Sequence, residues 1–188
     1  MSKNNSSHIW IETGYELFAA EGLEGIQVER LARVTQLNKS GYYHYFGDRD
    51  CYLEHLMKHH LIQAQAIADD FHLIKNFDPD FIEILLKHSL QVIAHMQLVR
   101  NRHEQLLNEV FKQVNGFVDQ ALLPSWAEFI GHQNNHEFAL KYFQQVRDMF
   151  YSRITFKNMN PDFLKILICE AKSLIQEGSN QNSTSTST

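Results

Sequence analysis

Residues 37–50, "LNKSGYYHYFGDRD", decide how the chain is read. Asn38 is a residue type that caps helix N-termini and Gly47 one that ends helices, so a short helix is predicted from Asn38 to Tyr45 or Phe46. On a helical wheel of about 100° per residue, Tyr42, Tyr45 and Phe46 cluster on one side, while Ser40, Tyr43 and His44 fall on the other. Lys39 and Gly41 flank that second group near the N-terminus. One side can dock against a core, and the other has no partner within the segment.

Working outward, Trp10, Gly14, Leu17 and Phe18 repeat at helical spacing and Gly22 supplies a stop, which predicts a first helix from His8 to Glu21. A second, short helix follows, with Val28, Leu31, Ala32 and Thr35 on one face and Glu29, Arg30 and Arg33 elsewhere. Asp48 caps a longer fourth helix reaching about His72, whose apolar stripe includes His60. Asp78 and Pro79 read as N-cap and first residue of a further helix, apolar nearly all round to about residue 98 and suited to the middle of a bundle. Helices are also predicted at about 101–122, 124–132, 135–155 and 161–177, separated by Pro124, "GHQNN" and "NMNP". The sequence thus describes an all-α chain of about nine helices in three parts: a trihelical head at 1–50, a helical body at 51–178 and a polar tail at 179–188 expected to be disordered.

Composition limits what such a chain can do. Three prolines and eight glycines in 188 residues leave room for long helices, and no apolar run reaches the roughly 18 residues of a membrane span. "MSKNNSSHIW" lacks the apolar stretch of a signal peptide, and Cys51 and Cys169 match no metal or redox spacing; a cytoplasmic protein with free thiols is expected. His55 and His59 have the i, i+4 spacing of paired metal ligands, but no third ligand is evident, so neither metal nor cofactor is expected. The net charge of -5 argues against a nucleic-acid partner until it is examined locally. Residues 27–49 carry four cations against two carboxylates, whereas residues 1–26 carry one lysine against four glutamates.

Two readings of residues 37–50 fit these observations. One is a buried aromatic helix with a solvated polar side. The other is the second helix of a helix-turn-helix, which enters the DNA major groove by its N-terminal end. In that case Ser40 and Gly41 allow close backbone approach, Lys39 can donate to guanine O6 or N7, and Tyr43 and His44 have the length to reach phosphates. Arg49 adds a charge at the start of the next helix.

"YELFAAEG" at 15–22, "VERLAR" at 28–33 and "LNKSGYYHYFGDRD" at 37–50 occur in an order and separation that resemble the DNA-binding domain of the tetracycline-repressor (TetR) family of bacterial transcriptional regulators. The resemblance covers residues 10–55. It implies base contacts from Lys39, Ser40 and Gly41, backbone contacts from Tyr43 and His44, and a basic contact from Arg49. The chain departs from the family pattern at three places. Ile26 and Gln27 replace a capping threonine or serine, Gln36 replaces a turn glycine, and Gly14 replaces a common alanine.

For the body, Phe138, Tyr142, Val146, Met149 and Phe150 form one stripe, and residues 163–175 are apolar over more than half their circumference. These faces either share one internal core or meet a second subunit. The resemblance implies the latter, a homodimer through the last two helices, with Phe138, Tyr142, Met149, Phe163, Leu167, Ala171 and Leu174 at the interface. It also implies a small-molecule effector site, for which His88, Gln91, His95, Phe111, Phe117 and Trp126 are candidates. The resulting expectation is a ligand-responsive repressor that binds palindromic double-stranded DNA as a homodimer. The rivals are a helical adaptor whose head does not bind DNA, and an enzyme. The enzyme reading lacks support because no nucleophile elbow, P-loop, zinc-protease or dinucleotide motif is present.

Overall fold

The computed structural model describes residues 3–184, with side-chain environments from Ser6 to Ile175. Among the described residues it is all-helical: α1 (Lys3–Glu21), a 3-10 segment (Gly22–Ile26), α2 (Val28–Thr35), α3 (Lys39–Phe46), α4 (Arg49–Phe71), α5 (Phe77–Lys87), α6 (Ser89–Arg100), α7 (Gln105–Phe129), α8 (His136–Arg153) and α9 (Pro161–Thr184). The fold class and the number of helices agree with the sequence reading. No helix among the described residues is long and apolar enough to cross a membrane.

Two compact units are present, and they do not follow a boundary at residue 50. The first comprises the chain up to Ile67 together with His88–Val118; the second comprises Ala68–Lys87 and the chain from Asp119 onward. Long-range bonds explain why the first three helices are not a separate body. The Tyr52 hydroxyl donates to the Trp10 carbonyl at 2.8 Å, and Gln97 Nε2 donates to the Ala19 carbonyl at 2.9 Å.

Within the first unit α1 packs against α2, α3 and α6. Trp10, Gly14, Tyr15, Phe18 and Ala19 are its buried face; of the stripe expected from spacing, Trp10, Gly14 and Phe18 are buried and Leu17 is half-buried. On α6, seven consecutive residues from Val92 to Leu98 are buried, as a central helix requires. Two of them are polar. His95 Nδ1 lies 3.3 Å from Nε2 of buried His60, whose Nδ1 lies 2.6 Å from the Tyr15 hydroxyl. These contacts are satisfied when Tyr15 donates to Nδ1 and the Nε2–H of His60 donates to His95, which requires a neutral His60. The His95 ring in turn stacks on Phe111, with centroids 5.5 Å apart.

Burial, with His95 and His59 nearby, holds the His60 pKa well below its ordinary value. The unfolded chain therefore takes up a proton below pH 6.5 that the native chain refuses, so stability falls as pH drops from about 6.5 toward the folded pKa. His59, lowered chiefly by its own desolvation, adds in the same direction. Urea unfolding between pH 7 and 5 is expected to show a slope approaching 1.4 kcal/mol per pH unit for His60 alone. A His60 imidazole that titrates at its ordinary value by NMR would contradict this.

The second unit is built on aromatic contacts. Phe77 stacks on Phe81 and Phe129 at 4.7 and 4.8 Å, and Trp126 meets Phe77, Tyr142 and Phe143 at 5.3–5.8 Å. Asp119, only slightly exposed, pairs with Arg147 and accepts from Gln144 Nε2 at 2.9 Å.

Five boundaries differ from the sequence reading, the first being that of α1, which begins at Lys3 instead of His8. The helix expected from Pro79 to residue 98 is two helices separated at His88 (φ -106°, ψ 30°), and the break assigns Ile82 and Leu85 to one unit's core and Val92–Leu98 to the other's. The helix expected from residue 101 starts at Gln105, because the Asn101 side chain and backbone turn back to cap α6. Pro124 does not end α7. It is exposed and removes one backbone bond at a cost of about 3 kcal/mol, while buried Ala121, Leu122, Trp126 and Ala127 hold both sides of it in the helix. Finally, α9 continues to Thr184, so residues 179–184 of the expected disordered tail are helical. One glycine at Gly178 costs about 1 kcal/mol, and each further residue of a nucleated helix adds a backbone bond. Residues 185–188 lie outside the described residues.

Candidate nucleic-acid interface

The helix α3 is fixed at both ends by its own sequence. The Asn38 side chain accepts from the Ser40 N–H at 3.0 Å. Gly47 takes φ 77°, a conformation that favours glycine, and its N–H donates to the Tyr43 carbonyl at 3.0 Å. Asp48 then caps α4 by accepting from the Cys51 N–H at 2.8 Å, and that backbone bond holds its carboxyl below the usual range.

Aromatic packing sets the rotation of α3. Tyr42 and Phe46 are buried, and the Tyr42 ring centroid lies 5.5 Å from Trp10, 5.3 Å from Phe46 and 5.0 Å from Tyr52. Tyr45, expected in the core with them, is half-buried. With that face committed, Lys39, Ser40, Tyr43 and His44 are exposed, and Gly41 is partly covered at the α3 N-terminus. The Tyr43 ring stands edge-on to Tyr42 at 5.5 Å, which supports it while leaving it 52% exposed. Arg49 is exposed at the start of α4, with Nη2 donating to the Leu23 carbonyl at 3.4 Å.

The approach to α3 is also defined. Gln27 takes the N-cap position of α2 without a side-chain cap bond and donates to Glu24 instead, while Ile26 is fully buried. Neither residue supplies the hydroxyl cap found at this place in the family pattern. Gln36 ends α2 in the left-handed region at φ 57°, where a turn glycine would be unstrained, at a cost of about 1–2 kcal/mol.

Sequence reasoning counted the carboxylates of this region as charges and missed their pairing. Glu29 on α2 accepts from the Lys39 ammonium at 2.9 Å, and Glu21 pairs with Arg30. The Lys39 bond is the first cause of a lowered Glu29 pKa. Neither pair has a local signature, since the partners lie ten and nine residues apart and meet only when the helices pack.

The effector-site candidates are divided between the two units. His88, Gln91, His95, Phe111 and Phe117 belong to the first unit and Trp126 to the second. In the first unit, His95 and Phe111 are in contact, and Gln91 Nε2 donates to Gln63 at 3.2 Å. Trp126 is core, with its Nε1 donating to the Ala139 carbonyl at 3.0 Å.

Two of the expected interface residues face inward. Leu167 and Ala171 are buried within the chain itself, because α9 turns them toward its own unit and the Ala171 carbonyl accepts from Tyr142 at 2.6 Å. Phe138 and Leu174 are exposed, together with Ile166, while Tyr142, Met149 and Phe163 are half-buried. His55 bonds to the Cys51 carbonyl and His59 lies 3.7 Å from Glu12; among the described residues no three His, Cys, Asp or Glu side chains are placed to hold a metal.

No protein-family model matches the chain, and a search of curated proteins finds no match.

Proposed function

We propose that the chain is a DNA-binding transcriptional regulator, a repressor that acts in the cytoplasm as a homodimer on a palindromic operator and answers to a small-molecule effector. The observation that carries the reading is the division of α3 into a buried Tyr42/Phe46 face and an outward face of Lys39, Ser40, Tyr43 and His44. An α-helix, about 10–12 Å across with its side chains, suits a major groove about 12 Å wide. Short polar side chains near its N-terminus and a tyrosine farther along match the division between base reading and phosphate contact. The family resemblance at residues 10–55 points the same way. The dimer draws support from exposed Phe138, Ile166 and Leu174 on α8 and α9. The effector rests on the resemblance alone.

The experiment is a footprint on the DNA upstream of the chain's own gene. Two protected half-sites on one face of the duplex, a near-integral number of turns apart, are expected. Absence of any salt-sensitive protection, there or on other duplexes, would favour the adaptor reading, to which the carboxylate pairing of Arg30 and Lys39 lends some support.

A further inference from the structure

The Lys39–Glu29 pair raises a question of specificity. Both side chains are well exposed, 49% and 66%, so the bond is weak and exchangeable and contributes little to folding. Its placement matters more than its strength, because it sits on the lysine that leads the outward face of α3.

We propose that Glu29 is a specificity-determining residue that biases Lys39 toward base edges and against phosphates. This inference rests on the DNA-binding reading above. An ammonium has three N–H donors, so Lys39 can keep its bond to Glu29 and still donate to a neutral acceptor such as guanine O6 or N7. A phosphate accepting from the same ammonium would lie about 6 Å from the Glu29 carboxylate, and the repulsion between the two anions opposes that contact. The carboxylate thus leaves base contacts largely unaffected and weakens the sequence-neutral ones that dominate non-specific binding. It also holds the flexible lysine in place before DNA arrives, reducing the ordering cost of a specific contact.

The test measures binding of the full chain to a mixed-sequence duplex and to the duplex upstream of its own gene, at several salt concentrations. Glu29→Gln is expected to tighten mixed-sequence binding about five- to tenfold and to lower the ratio between the two duplexes by a similar factor. In a Lys39→Met background the gain is expected to shrink below about twofold, because phosphates are no longer drawn to that position. Glu16→Gln removes an exposed carboxylate from α1 and controls for net charge. No gain from Glu29→Gln, an equal gain from Glu16→Gln, or an undiminished gain without Lys39 would each overturn the proposal while leaving DNA binding intact. If the unaltered chain binds neither duplex, the DNA-binding reading fails and this inference fails with it.

Discussion

Replacing Gly14 with alanine is expected to destabilise the chain by about 2–3 kcal/mol, although the same change in an ordinary helix interior would stabilise it by about 1 kcal/mol. A β-carbon at position 14 would overlap the Tyr52 hydroxyl oxygen and lie 2.9 Å from the ring carbon that bears it. Tyr52 is fully buried, so the ring cannot swing into solvent. Alanine must therefore displace it, which adds an overpacking cost of about 1–3 kcal/mol and strands a hydroxyl that donates to the Trp10 carbonyl, at about 1–3 kcal/mol more. These terms outweigh the gain in helix propensity.

The partner change follows from the same geometry. Tyr52→Phe removes the clashing oxygen, and the Gly14→Ala/Tyr52→Phe double variant is expected to lie within about 1 kcal/mol of Tyr52→Phe alone, a coupling of about 2 kcal/mol in a double-mutant cycle followed by urea unfolding. A neutral or stabilising Gly14→Ala would contradict the packing described. The family pattern places alanine at this position, and the Tyr52 hydroxyl supplies a physical reason for glycine in this chain.

The second large effect concerns DNA. Removing the Lys39 ammonium, the Tyr43 hydroxyl and the Arg49 guanidinium together is expected to weaken duplex binding by at least about two orders of magnitude, since a base contact contributes about 1–3 kcal/mol and phosphate contacts add to it. Tyr43→Phe keeps the ring against Tyr42, and Lys39→Ala and Arg49→Ala alter exposed side chains, so the fold should survive all three. Loss of the Arg49 charge should also flatten the dependence of affinity on salt, by about one unit of log–log slope for each head on the DNA.

The head was the part of the molecule most legible in the sequence, because its decisive interactions are local. Asn38, Gly47 and Asp48 act on backbone groups within four residues of themselves, and the alternation of Tyr42/Phe46 with Ser40/Tyr43/His44 is a property of one helix. What was not legible depends on neighbours distant in sequence. The break at His88 reflects two compact units drawing on one apolar run, and the continuity of α7 through Pro124 depends on buried side chains that outweigh one missing bond. Leu167 and Ala171 show the limit of reading stripes, since periodicity marks a face as apolar without naming what covers it. Glu29 and Glu21 are counted as charges in a sequence, but their opposition to Lys39 and Arg30 exists only in the folded head.

The central claim is that the outward face of α3 meets DNA, and fluorescence anisotropy titration of a duplex from upstream of the chain's own gene tests it directly. From about 50 to 200 mM salt, the unaltered chain should bind with an affinity that falls steeply, and the Lys39→Ala/Tyr43→Phe/Arg49→Ala variant should bind at least about a hundredfold more weakly while remaining folded by circular dichroism. Equal affinity of the two proteins at every salt concentration would contradict it.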